Sequence, residues 1–105
     1  MAKIRGRKSN YLKKLNATPY WNEVRRLIRL RDRWNCRICG KNTDLDVHHI
    51  TYSVNGVSIV ANEKDNLNWL ILLCRDDHQA VHNDINHVLN PKNPKKIDAE
   101  NFKND

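Results

Sequence analysis

Residues 73–82 read Leu-Cys-Arg-Asp-Asp-His-Gln-Ala-Val-His, and our prediction of the fold depends on this segment more than on any other. Asp76 or Asp77 can cap a helix here, because apolar residues and imidazoles then recur at helical spacing. Pro91 is expected to end this helix. One face of it is predicted to carry His78, Val81, His82, Ile85 and Leu89. Two imidazoles one helical turn apart on the same face can chelate one ion.

Two pairs of residues with the same spacing predict a second kind of metal site. Cys36 and Cys39 form the first pair, in a tight turn where Gly40 can adopt a positive φ. Cys74 and Asp77 form the second pair and can complete a Cys3Asp site. Thiolates favour Zn²⁺, and a closed four-coordinate site is structural and adds folding energy to a small core. Two simpler interpretations stay open: the cysteines are small buried residues, and Asp77 only caps the helix.

The adjacent residues His48 and His49 predict two separate roles. Residues 45–50 alternate with the period of a strand, so the two rings point to opposite sides. His48, together with His78 and His82, would leave coordination positions open for water and a phosphate oxygen, as a catalytic site requires. His49 would then be free to act as a general base. Taken singly, each histidine can also be an ordinary surface or capping residue, and His87 is interpreted in that way.

Composition and charge limit the class of protein. The chain of 105 residues is long enough for one small domain, and 39% hydrophobic residues permit only a modest core. The first 33 residues contain eleven Lys and Arg against two Asp and Glu, a net charge of +9, which predicts a polyanionic partner such as nucleic acid. The sequence contains no apolar run long enough to span a membrane, which argues against a membrane as the partner. Three cysteines and a basic N-terminus without the features of a signal peptide indicate a cytoplasmic protein without disulfides.

Along the chain we predict a basic flexible arm (residues 1–17), one domain (18–90) and a loosely ordered polar tail (91–105). Thr18 and Pro19 begin a helix whose apolar positions extend to Trp34. Residues 51–65 are expected to form a loop, and residues 67–73 either a buried strand or a helical turn leading into one. The basic side of the first helix and its end is predicted to contact DNA through Arg25, Arg26, Arg29 and Arg33.

Taken together, these motifs resemble the HNH endonuclease family over about residues 20 to 85. The family pattern runs Cys-x-x-Cys, then a His-His or Asp-His pair, then Asn, then Cys-x-x-Cys-His. The matching segments are Cys36-Arg-Ile-Cys39, Val47-His48-His49-Ile50, Asn66-Leu67-Asn68 and Cys74-Arg-Asp-Asp77-His78. The helix leading into Cys36 is similar to members from phage and mobile elements. The resemblance implies an α+β fold, a small ββα-metal domain stapled by a structural zinc and preceded by a basic helix.

The resemblance also implies roles for individual residues. His48 and His78 would bind the catalytic divalent metal, either Mg²⁺, Mn²⁺, Ni²⁺ or Zn²⁺, and His82 matches a further ligand of colicin-type nucleases. His49 would activate water for attack on a phosphodiester of double-stranded DNA, while the metal stabilises the developing charge. The motif Asn is either Asn66 or Asn68, and Asn68 fits the family interval better. The departure from the pattern is Asp77, where most relatives have Cys, and it weakens the expected zinc site.

Three functions are therefore compared. The first is a metal-dependent DNA endonuclease that nicks, or cuts both strands as a homodimer. The second is a zinc-stapled nucleic-acid-binding module in which the histidines are structural. The third is a redox protein with a reducible disulfide between Cys36 and Cys39. We expect the first.

Overall fold

The computed structural model describes residues 18–103, and the predicted basic arm (1–17) lies outside this range. The elements follow the order helix, strand, hairpin, strand, helix. Two 3₁₀ turns, Glu63–Asp65 and Leu67–Trp69, precede the last strand. Helices and strands span α1 (Pro19–Arg31), β1 (Leu45–His49), β2 (Ser53–Val54), β3 (Val57–Ser58), β4 (Leu70–Cys74) and α2 (Arg75–His82). Within residues 18–103, neither helix is long and apolar enough to cross a membrane.

Helix α1 begins as predicted. The Oγ1 of Thr18 accepts a hydrogen bond of 3.2 Å from the Trp21 amide, and Pro19 occupies the first helical position. The helix ends at Arg31, so the predicted extension of its apolar stripe to Trp34 is wrong. Arg33 and Trp34 both have positive φ, which reverses the chain, and Trp34 is half exposed.

The centre of the domain is the antiparallel pair of β1 and β4. All five residues of β4 are buried, and the register places His48 opposite Ile71 and His49 opposite Leu70. From Leu70 to Leu73, successive side chains of β4 alternate between two apolar clusters. Leu70 and Leu72 pack with α1 through Val24 and Ile28, while Ile71 and Leu73 pack with Val81 of α2. Each fully buried aliphatic side chain of this kind contributes about 1.5–3 kcal/mol of transfer free energy. The two helices therefore cover opposite faces of the sheet.

The segment between β1 and β4 is more regular than a loop. Contrary to the prediction, it contains the two-stranded hairpin of β2 and β3. Asn55 and Gly56 form its turn with φ of 53° and 80°, which is the backbone that a two-residue hairpin favours. Each strand has only two residues, too few to produce a visible period in the sequence. The 67–73 segment contains both predicted alternatives, a 3₁₀ turn followed by a buried strand.

Helix α2 is shorter than predicted. It begins after Cys74, whose Sγ accepts from the Asp77 amide, so neither Asp76 nor Asp77 is the cap. It ends at His82, so Ile85 and Leu89 do not continue its face, and Pro91 does not end it. Asn90 explains the end of the helix, because its side-chain amide donates to the Val81 carbonyl at 2.9 Å and satisfies a group that the helix leaves free.

The segment after residue 90 packs against the domain, so the expectation of a loosely ordered tail is wrong for residues 91–103. Ala99 and Asp98 are buried, and the Ala99 amide donates to the Asn68 carbonyl at 2.7 Å. The guanidinium of Arg37 donates to the carbonyls of Ala99 and Phe102. These bonds fix the tail against the turn that carries Cys36.

Candidate metal centres and active site

The Cys and Asp ligands predicted from the two short pairs come together at one end of the sheet. The turn after α1 supplies Cys36 and Cys39, and Gly40 has a φ of +81° there. The Sγ atoms of Cys39 and Cys74 are 3.7 Å apart, and Oδ2 of Asp77 lies 3.2 Å from Cys36 Sγ and 3.3 Å from Cys74 Sγ. Two sulfurs at 2.3 Å from one zinc ion stand about 3.8 Å apart in a tetrahedron. The four residues can therefore hold Zn²⁺, with Asp77 as the oxygen ligand.

Without a cation, this cluster disfavours thiolates. A hydrogen bond with Asp77 is the main cause that raises the pKa of Cys39 to about 12, and burial raises the pKa of Cys74. A redox cysteine needs the opposite, a lowered pKa that yields a thiolate near neutrality. All three cysteines are free thiols. The chemistry of this donor set fits a bound cation, which stabilises the deprotonated ligands together, better than it fits thiol exchange.

The imidazoles of His48, His78 and His82 meet on the α2 face of β1. Each ring offers one nitrogen to the cluster, and these atoms all lie within 4.8 Å of one another. The Nε2 atoms of His78 and His82 are 3.2 Å apart. Nitrogens bound to one ion at 2.0–2.1 Å are separated by about 3.3 Å in a tetrahedron, so the observed spacing suits a shared ion.

His48 is held as a neutral imidazole. Its ring is almost fully buried, and Nε2 lies 2.7 Å from the carbonyl oxygen of Leu89. Because a carbonyl only accepts, Nε2 carries the proton, and the lone pair stays on Nδ1, which is buried without a hydrogen-bond partner among the described residues. Burial lowers the pKa of His48 to about 3, so the ring is uncharged near neutral pH. An unpartnered buried lone pair on a ring that contacts two further imidazoles, with centroids 5.0 and 4.9 Å away, is the feature that a metal ion explains best.

A carboxylate orients the second imidazole. Nδ1 of His78 lies 3.2 Å from Oδ2 of Asp46, which leaves Nε2 of His78 to face His82. Asp46 stands two residues before His48 in β1, so both side chains lie on the same face of the strand. Metal-binding histidines commonly donate their other N–H to such a carboxylate. Sequence analysis missed Asp46, although its period-two spacing from His48 was a usable signal.

His49 lies on the other face of β1, towards α1. Its Nε2 is 3.1 Å from Oε2 of Glu63, a carboxylate that is only 4% exposed. The ring is stacked between Trp21 and Tyr52, with centroid distances of 5.5 and 5.2 Å. An ionised carboxylate accepts the proton of Nε2 and leaves the lone pair of His49 on Nδ1. Glu63 was not predicted, because nothing in the sequence pattern links it to a histidine fourteen positions away.

An apolar cleft opens beside His49. Its volume is about 560 Å³, and Tyr20, Trp21 and Tyr52 form aromatic walls. Tyr52 also lines a second, smaller cavity of about 330 Å³ that contains His82 and Lys92. Tyr52 thus lines both the cleft beside His49 and the cavity beside His82.

The two candidate motif asparagines lie in different places. The side chain of Asn66 donates to the Asn62 carbonyl at 3.0 Å, across the loop that carries Glu63. The side chain of Asn68 donates to Asp98 at 2.9 Å and so holds the C-terminal segment. Of the two, Asn66 has the contact that positions the loop beside His49.

The four predicted DNA-binding arginines are not equivalent. Arg26 forms an exposed ion pair with Glu23 at 2.7 Å, Arg25 hydrogen-bonds Asn22, and Arg29 lies 5.1 Å from the centroid of the Trp34 ring. Arg33 lies beyond the end of α1.

Arg31 and Arg37 form ion pairs and hydrogen bonds within the fold. Both pair with Asp32, a buried carboxylate that also accepts from the Leu72 amide at 3.0 Å. Asp32 neutralises part of the basic segment, and no pattern in the sequence indicates that it is buried.

One ligand cluster at the end of a two-stranded sheet, a second on the α2 face of that sheet and a helix that supplies ligands to both define a small α+β domain that can hold metal ions. The model of the HNH endonuclease family matches residues 36–84, a range that includes every Cys, His and Asp of the two clusters. The resemblance to the HNH endonuclease family that the motifs predicted is thus confirmed over residues 36–84. No curated protein and no solved structure matches it.

Proposed function

We propose that this protein is a metal-dependent DNA endonuclease in which His49 activates the attacking water. One observation carries the proposal: β1 directs His48 into a cluster of three imidazoles and the next residue, His49, to a buried carboxylate. The match to the family model supports nuclease activity in general. The choice of DNA, and of double-stranded DNA in particular, rests on the basic segment before residue 34. Reduced thiols suit the cytoplasm of a bacterium or a phage-infected cell.

We assign two ions to separate tasks. His48, His78 and His82 would hold the catalytic ion, which stabilises negative charge on the phosphate oxygens when it is bound. Cys36, Cys39, Cys74 and Asp77 would hold a structural Zn²⁺ that ties the turn after α1 to the start of α2.

The residues around His49 prepare it for proton transfer. Glu63 accepts from Nε2 and fixes the tautomer, so that Nδ1 is the basic atom. Trp21 and Tyr52 hold the ring from both sides and limit its rotation. Asn66 fixes the loop that carries Glu63 and is therefore our choice for the positioning Asn, in place of Asn68. Glu63 thus selects the basic atom of His49, and the two aromatic rings restrain the imidazole.

Phosphates would be contacted by the exposed basic side chains near the site. Lys92 lines the cavity beside His82 and is exposed, which makes it a further candidate that the sequence did not indicate. Such contacts are strong at low salt and carry no base specificity. The proposed contact set is Arg25, Arg26, Arg29, Arg33 and Lys92.

The test is cleavage of supercoiled plasmid with Mg²⁺, Mn²⁺ or Ni²⁺ by the wild type, by His49→Ala and by His87→Ala as the matched histidine control. We expect nicked or linear product from the wild type and the control, and a loss of about 100-fold or more for His49→Ala. If all three proteins leave the plasmid intact with every metal and still retard it on a gel, the protein is a binding module and the nuclease proposal fails.

A further inference from the structure

The apolar cleft beside His49 has no task in the hydrolysis described above. Tyr20, Trp21 and Tyr52 wall it, and Val60 and Ala61 complete its apolar lining. A volume of about 560 Å³ lies within the roughly 300–1,000 Å³ typical of sites that enclose a small planar ligand. We infer that the cleft binds one unpaired nucleobase of the DNA strand, next to the phosphate that is cut. This inference rests on the proposed nuclease function.

The position of the cleft restricts its occupant. His49 and Glu63 form its polar wall, so whatever fills the cleft lies against the residue that would activate water. If His49 activates the attacking water, the scissile phosphate lies beside this wall of the cleft. In DNA, the group that lies within a few covalent bonds of a phosphate is a sugar with its base.

The chemistry of the walls also fits a base. Aromatic faces bind unstacked bases of any sequence, each contributing about 1–3 kcal/mol. A basic side chain that could contact an adjoining phosphate lies next to one aromatic wall: Lys64 Nζ is 5.3 Å from the centroid of the Tyr20 ring. Tyr52 and Val60 are about half exposed at the rim, so a base can enter from solvent without opening the core.

A base in a continuous duplex is paired and stacked, and its removal costs a few kcal/mol. The cleft therefore favours DNA in which one nucleotide is already unpaired, such as a bulge, a mismatch or a single-stranded junction. Such a protein would select DNA by the presence of an unpaired nucleotide more than by base sequence.

The experiment compares three duplexes of identical flanking sequence: fully paired, with one unpaired adenosine, and with an abasic residue at the same bulge. We expect the adenosine bulge to be cut at least about 5-fold faster than the other two, which corresponds to the lower limit for one stacked base. Val60→Trp, which fills the cleft, should remove this preference. Val57→Trp, also exposed on the neighbouring hairpin but outside the cleft, should keep it.

A second measurement separates this inference from the nuclease proposal. Binding of the same three duplexes is followed by fluorescence anisotropy with no divalent ion added. If wild type binds the adenosine bulge more tightly than the other duplexes and Val60→Trp does not, the base-binding cleft is supported. If in addition no DNA is cut, only the nuclease proposal fails. Equal binding and equal cutting of the adenosine and abasic bulges, or a preference that Val60→Trp retains, overturns the inference.

Discussion

The Nε2 of His49 lies 3.1 Å from Oε2 of Glu63, and the carboxylate is buried where water cannot replace it. We expect Glu63→Gln to lower kcat by about 10- to 1,000-fold with little change in KM, because an amide no longer fixes the tautomer of His49. Steady-state nicking rates give both constants. Asp65→Asn, in the same 3₁₀ turn but exposed, is the matched control. Equal kcat values for the two variants would show that Glu63 does not act through His49.

A second carboxylate offers a test of the imidazole cluster. Asp46 orients His78 at 3.2 Å without belonging to the ligand set. We expect Asp46→Asn to raise the metal concentration for half-maximal cleavage by about 10- to 100-fold, as is usual when such an orienting contact is lost. The zinc content should stay at the wild-type value. Asp44→Asn, just before β1, should leave both quantities unchanged, and a loss of zinc in Asp46→Asn would contradict the separation of the two sites.

The structural site is tested at its unusual ligand. We expect Asp77→Ala to lose zinc and to lower Tm by at least about 5 °C, since each kcal/mol lost from a domain of this size shifts Tm by about 4–8 °C. Asp77→Cys should restore zinc and raise Tm, because a thiolate is the stronger zinc ligand. Elemental analysis and thermal unfolding provide both readouts, with the exposed Asp76→Ala as control. An Asp77→Ala protein with full zinc content would mean that Asp77 is not a ligand.

The local parts of the fold were predictable because short-range rules determine them. Thr18 and Pro19 mark the helix start through capping and a fixed φ. The spacing of His78 and His82 likewise placed two imidazoles together. The alternation of side chains along a strand is enough to direct His48 and His49 to opposite faces of β1. Each of these features depends on residues no more than four positions apart.

Features that depend on distant parts of the chain were missed. Glu63 meets His49 only because the hairpin returns the chain to β1, and strands of two residues leave no period. The spacing of Leu89 from His78 and His82 predicted that α2 continues to residue 89. Leu89 is instead buried after the helix has ended, next to Asn90, whose side chain donates to the Val81 carbonyl. In the sequence, Asp32 is a single acidic residue among basic ones, and nothing there indicates that it is buried. Its burial beside Leu72 results from the packing of α1 against β4. Tertiary contacts decided all three.

The C-terminal segment yields a prediction about stability. Burial alone would raise the pKa of Asp98, but hydrogen bonds from Asn68 and Asn101 outweigh it and hold the pKa below its usual value. A carboxyl with a lowered pKa in the folded state stabilises the fold above its unfolded pKa of about 3.9, and this contribution is lost as the pH falls through the lower folded value.

We therefore expect Asp98→Asn to reduce the free energy of unfolding by about 1.5–3 kcal/mol at pH 7, the usual range for hydrogen bonds to a charged group. The difference from wild type should begin to shrink below about pH 4, where the unfolded carboxyl takes up a proton, and should fall further as the pH passes the lower pKa of the folded state. Urea unfolding at several pH values measures it. Glu100→Gln, an exposed carboxylate two residues along, should show no such difference. If Asp98→Asn unfolds like wild type at pH 7, the bond between Asn68 and Asp98 does not hold the segment.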